Sequence, residues 1–470
     1  MDRWAVSLIV FLLVALPVGA DSPAVGTSSQ VVPAAGWAVG VSPNFADDIP
    51  NLRGVGFHVT PSDTRPDMLP PVNPTTPPPA TRPVLQPRPE QTGYPFDPLP
   101  VHLRRPREPI VHAEHWLRGD WLLWAFRDAP VPPLIVTGDP NLPNPGIPGG
   151  GNIIPLVGPT SDYGMLNGAR LTLGRWFDPD GELGLEITGL IFGREGTATF
   201  FQGSPNRPLS VPILSDTGTP GVYDFAFPNT FDGSLGVRTA IQLLSAEGMF
   251  LHRWYGDGCR SFDGMIGYRY LWLNESLELL GRSVSVGGVS TFLGQSLPGG
   301  VTLLTTDRFR AKSEFHGLQL GGRWESRHDI LTLTAFGKGG LGINLHTLRV
   351  EGNTVATGFG VTRTQVGGIR ALPSNFGRDT NTDFSLIAET GIELGIQATK
   401  SLSLRVGYNL LFWSDVLRPG TVISDVTTLS QVPIDPSFAA HRIPNARPVT
   451  VFRASDFLAH GLVLGMVVDW

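Results

Sequence analysis

Between Phe384 and Ala398 the side chains alternate. Phe384, Leu386, Ala388, Thr390, Ile392, Leu394, Ile396 and Ala398 share one face, and Ser385, Ile387, Glu389, Gly391, Glu393, Gly395 and Gln397 share the other. After Thr399, Lys400 and Ser401 the pattern restarts, with Leu402, Leu404, Val406, Tyr408, Leu410 and Phe412 set against Ser403, Arg405, Gly407 and Asn409. A period of two is that of a β-strand, and two such rows joined by three residues have hairpin spacing. The last eleven residues repeat the arrangement, with Leu462, Leu464, Met466, Val468 and Trp470 on one parity and Gly461, Val463, Gly465 and Asp469 on the other. Each of these strands needs an oily surrounding on one side and a watery one on the other.

The amino end narrows what those surroundings are. Residues 1–20 read as a signal peptide: Arg3, an apolar stretch from Ala5 to Leu16, and small residues at Val18 and Ala20 before Asp21. No cysteine follows the cleavage site, which argues against a lipid anchor there. Beyond it no apolar run approaches the roughly 18 residues of a spanning helix, so a chain of this kind can cross a membrane only as a closed barrel. Residues 21–111 are different material, with 16 of the 43 prolines between Pro61 and Pro109. Such composition favours extended polyproline geometry and forms no packed core, so this segment is expected to be an unstructured periplasmic extension.

From residue 112 to 470, alternating segments of about ten residues recur between Gly, Pro, Asn and Asp clusters. The expected fold is therefore all-β: a transmembrane antiparallel β-barrel of the outer-membrane type, with about 12–14 strands. Long stretches without alternation, such as 203–223, 284–305, 352–382 and 418–454, suit the outward loops of such a barrel. Aromatic residues near segment ends, namely Trp176, Tyr268, Trp272, Phe412 and Trp470, are expected at the lipid–water boundaries. Outer-membrane barrels likewise close on a strand that ends in an aromatic residue.

The chemistry available is limited. A net charge of −6 gives no basic patch for nucleic acid. Cys259 stands alone, and no Cys and His cluster has metal-ligand spacing, so no metal and no cofactor are expected. His316, His346 and His460 lie in or near strand-like segments, but no Gly-x-Ser-x-Gly elbow and no Walker loop accompanies them. The chain is expected not to be an enzyme. Glu389 and Glu393 lie about 13 Å apart along one strand face, too far for a paired acid and base. They are expected to line a lumen with Arg170, Arg238, Arg269 and Arg405, either setting a field along a channel or bridging one another and plugging it. On the face reading, Leu394→Arg is expected to block insertion and Glu393→Arg to be tolerated.

Several of these segments resemble a known family. Gly119-Asp-Trp-Leu-Leu-Trp124, the stretch from Pro132 to Thr137, and Gly168-Ala-Arg-Leu-Thr-Leu-Gly-Arg-Trp176 are similar to the opening of the putative β-barrel porin family 7 (BBP7) of planctomycete bacteria. In the same order follow Gly267-Tyr-Arg-Tyr-Leu271, Gly337-Lys-Gly-Gly-Leu-Gly-Ile-Asn344, Gly407-Tyr-Asn-Leu-Leu411 with Leu417-Arg-Pro-Gly420, and Phe457 to Leu462 with Trp470. The resemblance spans about residues 112–470 and implies a porin-type barrel in the cell outer membrane. The expected function is passive diffusion of small polar solutes; the alternative is a structural or adhesive surface protein that uses the barrel as its membrane anchor. Expected partners are outer-membrane lipid, the barrel-assembly machinery through the C-terminal strand, and the cell wall through the proline-rich segment. No sequence mark fixes an oligomeric state.

Overall fold

The computed structural model describes residues 114–470 apart from 143, 150–152, 288–289 and 442. The expected signal peptide and proline-rich extension lie outside the described residues. Ten strands form a ring: β1 (His115–Phe126), β2 (Met165–Trp176), β3 (Leu183–Gln202), β4 (Phe231–Gly256), β5 (Arg260–Ser285), β6 (Thr302–His328), β7 (Leu331–Gly358), β8 (Gly377–Gln397), β9 (Leu402–Leu417) and β10 (Ala454–Asp469). Each pairs antiparallel with its neighbours in sequence. β10 then pairs with β1, from Trp116 opposite Asp469 to Phe126 opposite Ala459, so the ring has no free edge.

The connections sort into two ends. Short turns at 177–182, 257–259, 329–330 and 398–401 lie at one end, together with Trp470. They are held by local bonds, as where the Asp257 carboxylate accepts from the amides of Cys259 and Arg260. Long connections lie at the other end.

Burial follows the expected parity in β8, β9 and β10. Phe384, Leu394, Leu404, Val406, Leu464 and Met466 are exposed, and Ile387, Glu389, Glu393, Asn409 and Leu411 are buried. Other strands extend the outer apolar band, with Leu318 on β6 71% and Leu341 on β7 59% exposed. From Phe384 to Ile396 is about 40 Å of strand, which a tilt of about 40° converts to about 30 Å of height, the thickness of a hydrocarbon core. This is a membrane-spanning barrel.

The ring has ten strands, where the sequence led to an expectation of about 12–14. Segments read as loops turn out to be strand: β4 to β7 are 26, 26, 27 and 28 residues long. At about 3.3 Å per residue they run to about 90 Å, far beyond the bilayer. On these upper extensions the faces exchange character. Outside they carry charges such as Glu278, Arg308 and Lys312. Inside they carry Leu235, Val237, Leu277, Leu279, Phe309, Leu348 and Val350.

Candidate functional site: the lumen

Four layers fill the ring, starting from the short-turn end. The first is a vestibule, a cavity of about 650 Å³ opening between the turns and lined by Trp116, Trp176, Arg253, Asp263, Arg323 and Arg405 among others. Arg323 donates to Glu186 at 2.8 Å and to Asp263 at 3.2 Å, and the Arg253 Nε donates to Asp263 at 2.8 Å. The Trp116 and Trp176 rings pack at 5.4 Å with their planes tilted by 43°, and the Arg253 guanidinium lies 4.6 Å from the Trp176 ring centre. Gly174 makes room for this: a Cβ there would lie 1.9 Å from the Trp116 ring.

The second layer is a belt of charged side chains that links strands around the ring, several of them not neighbours. Arg118 on β1 donates to Glu393 on β8 at 2.7 Å, and Arg170 on β2 donates to Asp120 at 2.6 Å and lies 3.6 Å from both Glu389 and Glu393. Arg269 on β5 donates to Glu389, Lys338 on β7 to Glu247 on β4 at 2.5 Å, and Gln319 to Glu247 at 3.0 Å. Arg405 lies 3.7 Å from Glu393. Side chains on strands far apart in the ring thus meet across it. A ring of eight strands is just filled by its own side chains, and ten strands leave little more.

The third layer is apolar. Leu122, Trp124, Phe192, Leu243, Leu271, Leu273, Phe315, Leu411, Trp413 and Phe457 are all buried and pack as one cluster. A relay of ring contacts crosses the lumen: Trp124 with Phe192 at 5.3 Å, Phe192 with Phe126 at 5.0 Å, Phe126 with Phe457 at 5.2 Å, Phe457 with Trp413 at 6.4 Å, and Trp413 with Phe315 at 6.4 Å. It runs through β3, β1, β10 and β9 to β6, which stands opposite β1 in the ring. Above it Glu275 accepts from Arg418, both fully buried.

The fourth layer is built from the long connections, which fold back inside the upper ring. Leu134, Ile135, Leu209, Val211, Ile369, Leu372 and Val432 join the inward side chains of β4 to β7 in one core. Arg370 ties three segments together, donating to the carbonyls of Ser424 at 2.8 Å and of Pro212. The Asp307 carboxylate accepts from the amides of Ile369, Arg370 and Ala371 at 2.9, 3.0 and 2.7 Å. Most of these roles were not legible in the sequence, because the connections have no period from which to read a buried face.

Five of the six expected lumen residues, Arg170, Arg269, Glu389, Glu393 and Arg405, come together in the belt. Arg238 does not. It is exposed on the outer wall above the apolar band, its guanidinium 5.4 Å from the Phe200 ring centre. Among the expected boundary aromatics, Tyr268 and Trp470 are exposed outward, while Trp272 and Phe412 are half-buried on outward parity. Trp176, only 7% exposed, lines the vestibule instead, where the Trp116 ring and the Arg253 guanidinium pack against it.

One arrangement with catalytic residue types went unnoticed in the sequence. The Ser313 hydroxyl lies 3.0 Å from His346 Nδ1, and His346 Nε2 lies 3.6 Å from Asp383. Ser313 is fully buried, its oxygen accepts from the Leu417 amide at 3.0 Å, and it lines neither described cavity. A nucleophile must reach a substrate carbonyl, so this reads as packing support for the upper strands. His316 and His460 face outward against Tyr268 and Tyr408.

The sequence model of the family described as Putative beta barrel porin-7 matches residues 116–470. The chain belongs to that family. No curated protein matches. Among solved structures, the outer membrane protease OmpT from Escherichia coli is similar at 9% identity and a TM-score of 0.35, covering 76% of this chain and 96% of that one. A Pseudomonas aeruginosa FadL homologue matches at 10% identity and a TM-score of 0.19, covering 76% and 90%. At TM-scores this low the likeness decides nothing further about this chain.

Proposed function

We propose that this member of the porin-7 family is an outer-membrane anchor: a barrel with a sealed lumen that holds the head formed by its long connections at the cell surface. The observation that carries this reading is the relay of aromatic rings from β3 to β6, which leaves apolar side chains where a conducting barrel keeps water. The ion-pair belt beneath it supports the same reading, because lumen charges that are paired with one another are not offered to a passing ion. Outer-membrane barrels keep short turns on the periplasmic side. The vestibule then opens to the periplasm and the head faces outward.

Passive diffusion of small polar solutes is the second reading, favoured by the family and by the charged vestibule. It requires the aromatic layer to part. Single-channel recording of the refolded chain in a planar bilayer separates the two. The anchor reading expects no stepwise current from the native protein, and current from the Phe192→Ala, Trp413→Ala variant. Regular steps from the native protein at modest voltage would overturn it in favour of diffusion.

A further inference from the structure

The outer wall carries a second feature that the lumen does not explain. Arg310 on β6 stands directly opposite Arg349 on β7, and Arg349 directly opposite Arg378 on β8. Like charges directly opposite each other across strands are destabilising, and here three stand in one row on strands about 4.8 Å apart. Lys312 adjoins the row, opposite Thr347. These five side chains line a shallow cavity of about 170 Å³.

Carboxylates nearby neutralise part of this charge. Arg349 donates to Glu351 at 2.7 Å, and Lys312 lies 2.7 Å from Glu314. Glu278 is taken by Arg308 at 2.5 Å. Among the described residues, Arg310 and Arg378 make no ion pair. Directly below the row on the same face of β7 stand Leu341, Ile343 and Leu345, and on β8 Phe384 and Leu386, all exposed and part of the apolar band. From Leu345 to Arg349 is about 13 Å of tilted strand, or about 10 Å of height. That height is at the outer edge of the headgroup layer, which is about 5–8 Å deep above the hydrocarbon.

We propose that this row is a binding site for a phosphorylated lipid of the outer leaflet, whose phosphates bridge Arg310, Arg349 and Arg378 and whose acyl chains lie on Leu341, Ile343 and Leu345. The chemistry fits at both ends. A guanidinium offers paired donors to phosphate oxygens, and a phosphate set among three arginines turns their repulsion into attraction. A cluster of cations at a membrane surface attracts anionic headgroups, and each added cation strengthens the attraction. One row of strands thus presents cations at headgroup height and aliphatic side chains at chain height. The inference rests on the outer-membrane reading above.

The test is native mass spectrometry of the full chain in a neutral detergent, with heat-modifiable gel migration as the measure of folding. Probes are bisphosphorylated lipid A, phosphatidylcholine and inorganic pyrophosphate. Lipid A is expected to bind one per chain at least tenfold more tightly than either other probe. The Arg349→Gln, Arg378→Gln variant should lose that preference while migrating as a folded barrel, since it removes repulsion and no packed group. Equal binding of lipid A to native and variant protein would overturn the proposal, and so would pyrophosphate matching lipid A, which would mark a site for free anions. Failure of the native chain to show heat-modifiable migration would strike the barrel reading itself, and this inference with it.

Discussion

At the scale of single residues, the lumen charges matter through their partners. Glu389 and Arg269 are both nearly inaccessible to solvent. Removing one member of such a pair leaves the other charge buried and uncompensated, at a cost of about 3–5 kcal/mol, whereas replacing both with apolar residues of similar volume is far milder. Glu389→Ala should therefore lower the temperature at which the barrel loses its compact gel migration well below that of the Glu389→Met, Arg269→Met pair. Equal shifts would show that the two do not act as a pair. In the head, burial pushes the Asp224 carboxyl up to about 6. The folded head then binds this proton more tightly than the unfolded chain does, so Asp224 favours the fold fully below pH about 4 and that advantage is lost as pH rises through about 6. Asp224→Asn keeps an acceptor for the Ser210 hydroxyl, now 2.6 Å away. It should flatten the pH dependence of head stability between pH 4 and 7 and raise the melting temperature at pH 7.5.

At the scale of elements, alternation located the faces, but polarity alone misjudged what surrounds them. In β8 the apolar parity is outward because lipid is outside. In the upper half of β4 the relation reverses: Leu235 and Val237 point inward to the head core, and Arg238 points outward to water. The rule that charge faces the lumen holds only within the height of the bilayer. The expected contrast between Leu394→Arg and Glu393→Arg changes accordingly. Leu394→Arg places a charge against hydrocarbon about 5 Å inside the short-turn edge of the band, at a cost between the about 0–1 kcal/mol of the interface and the about 2–4 kcal/mol of the midplane. Glu393 sits between Arg118, Arg170 and Arg405, so Glu393→Arg would crowd a fourth cation among them. Both are now expected to reduce the yield of heat-modifiable barrel, and Glu393→Gln is expected to be tolerated better than either. Wild-type yield from Glu393→Arg would contradict the belt.

At the scale of the whole molecule, barrel and head share strands but rest on different cores. Arg370 links the 209–215 and 418–425 segments of the head without touching the bilayer band. Arg370→Ala should speed proteolysis of these long connections while compact gel migration persists; loss of both together would mean that head and barrel fold as one unit. Legible along the chain were the β-barrel, the parity of β8, β9 and β10 that faces lipid, and a last strand that closes the ring. These follow from a two-residue period and from the need to satisfy every backbone amide in lipid, both of which are written locally. Long-range packing set the rest: ten long strands in the ring, connections that fold back inside it, and a lumen filled by side chains. Ring size depends on how many segments pair and with what stagger, and the lumen is crossed by contacts such as Arg118 to Glu393, 275 residues apart along the chain. A short-range pattern carries no information about which side chain will stand opposite across such a ring.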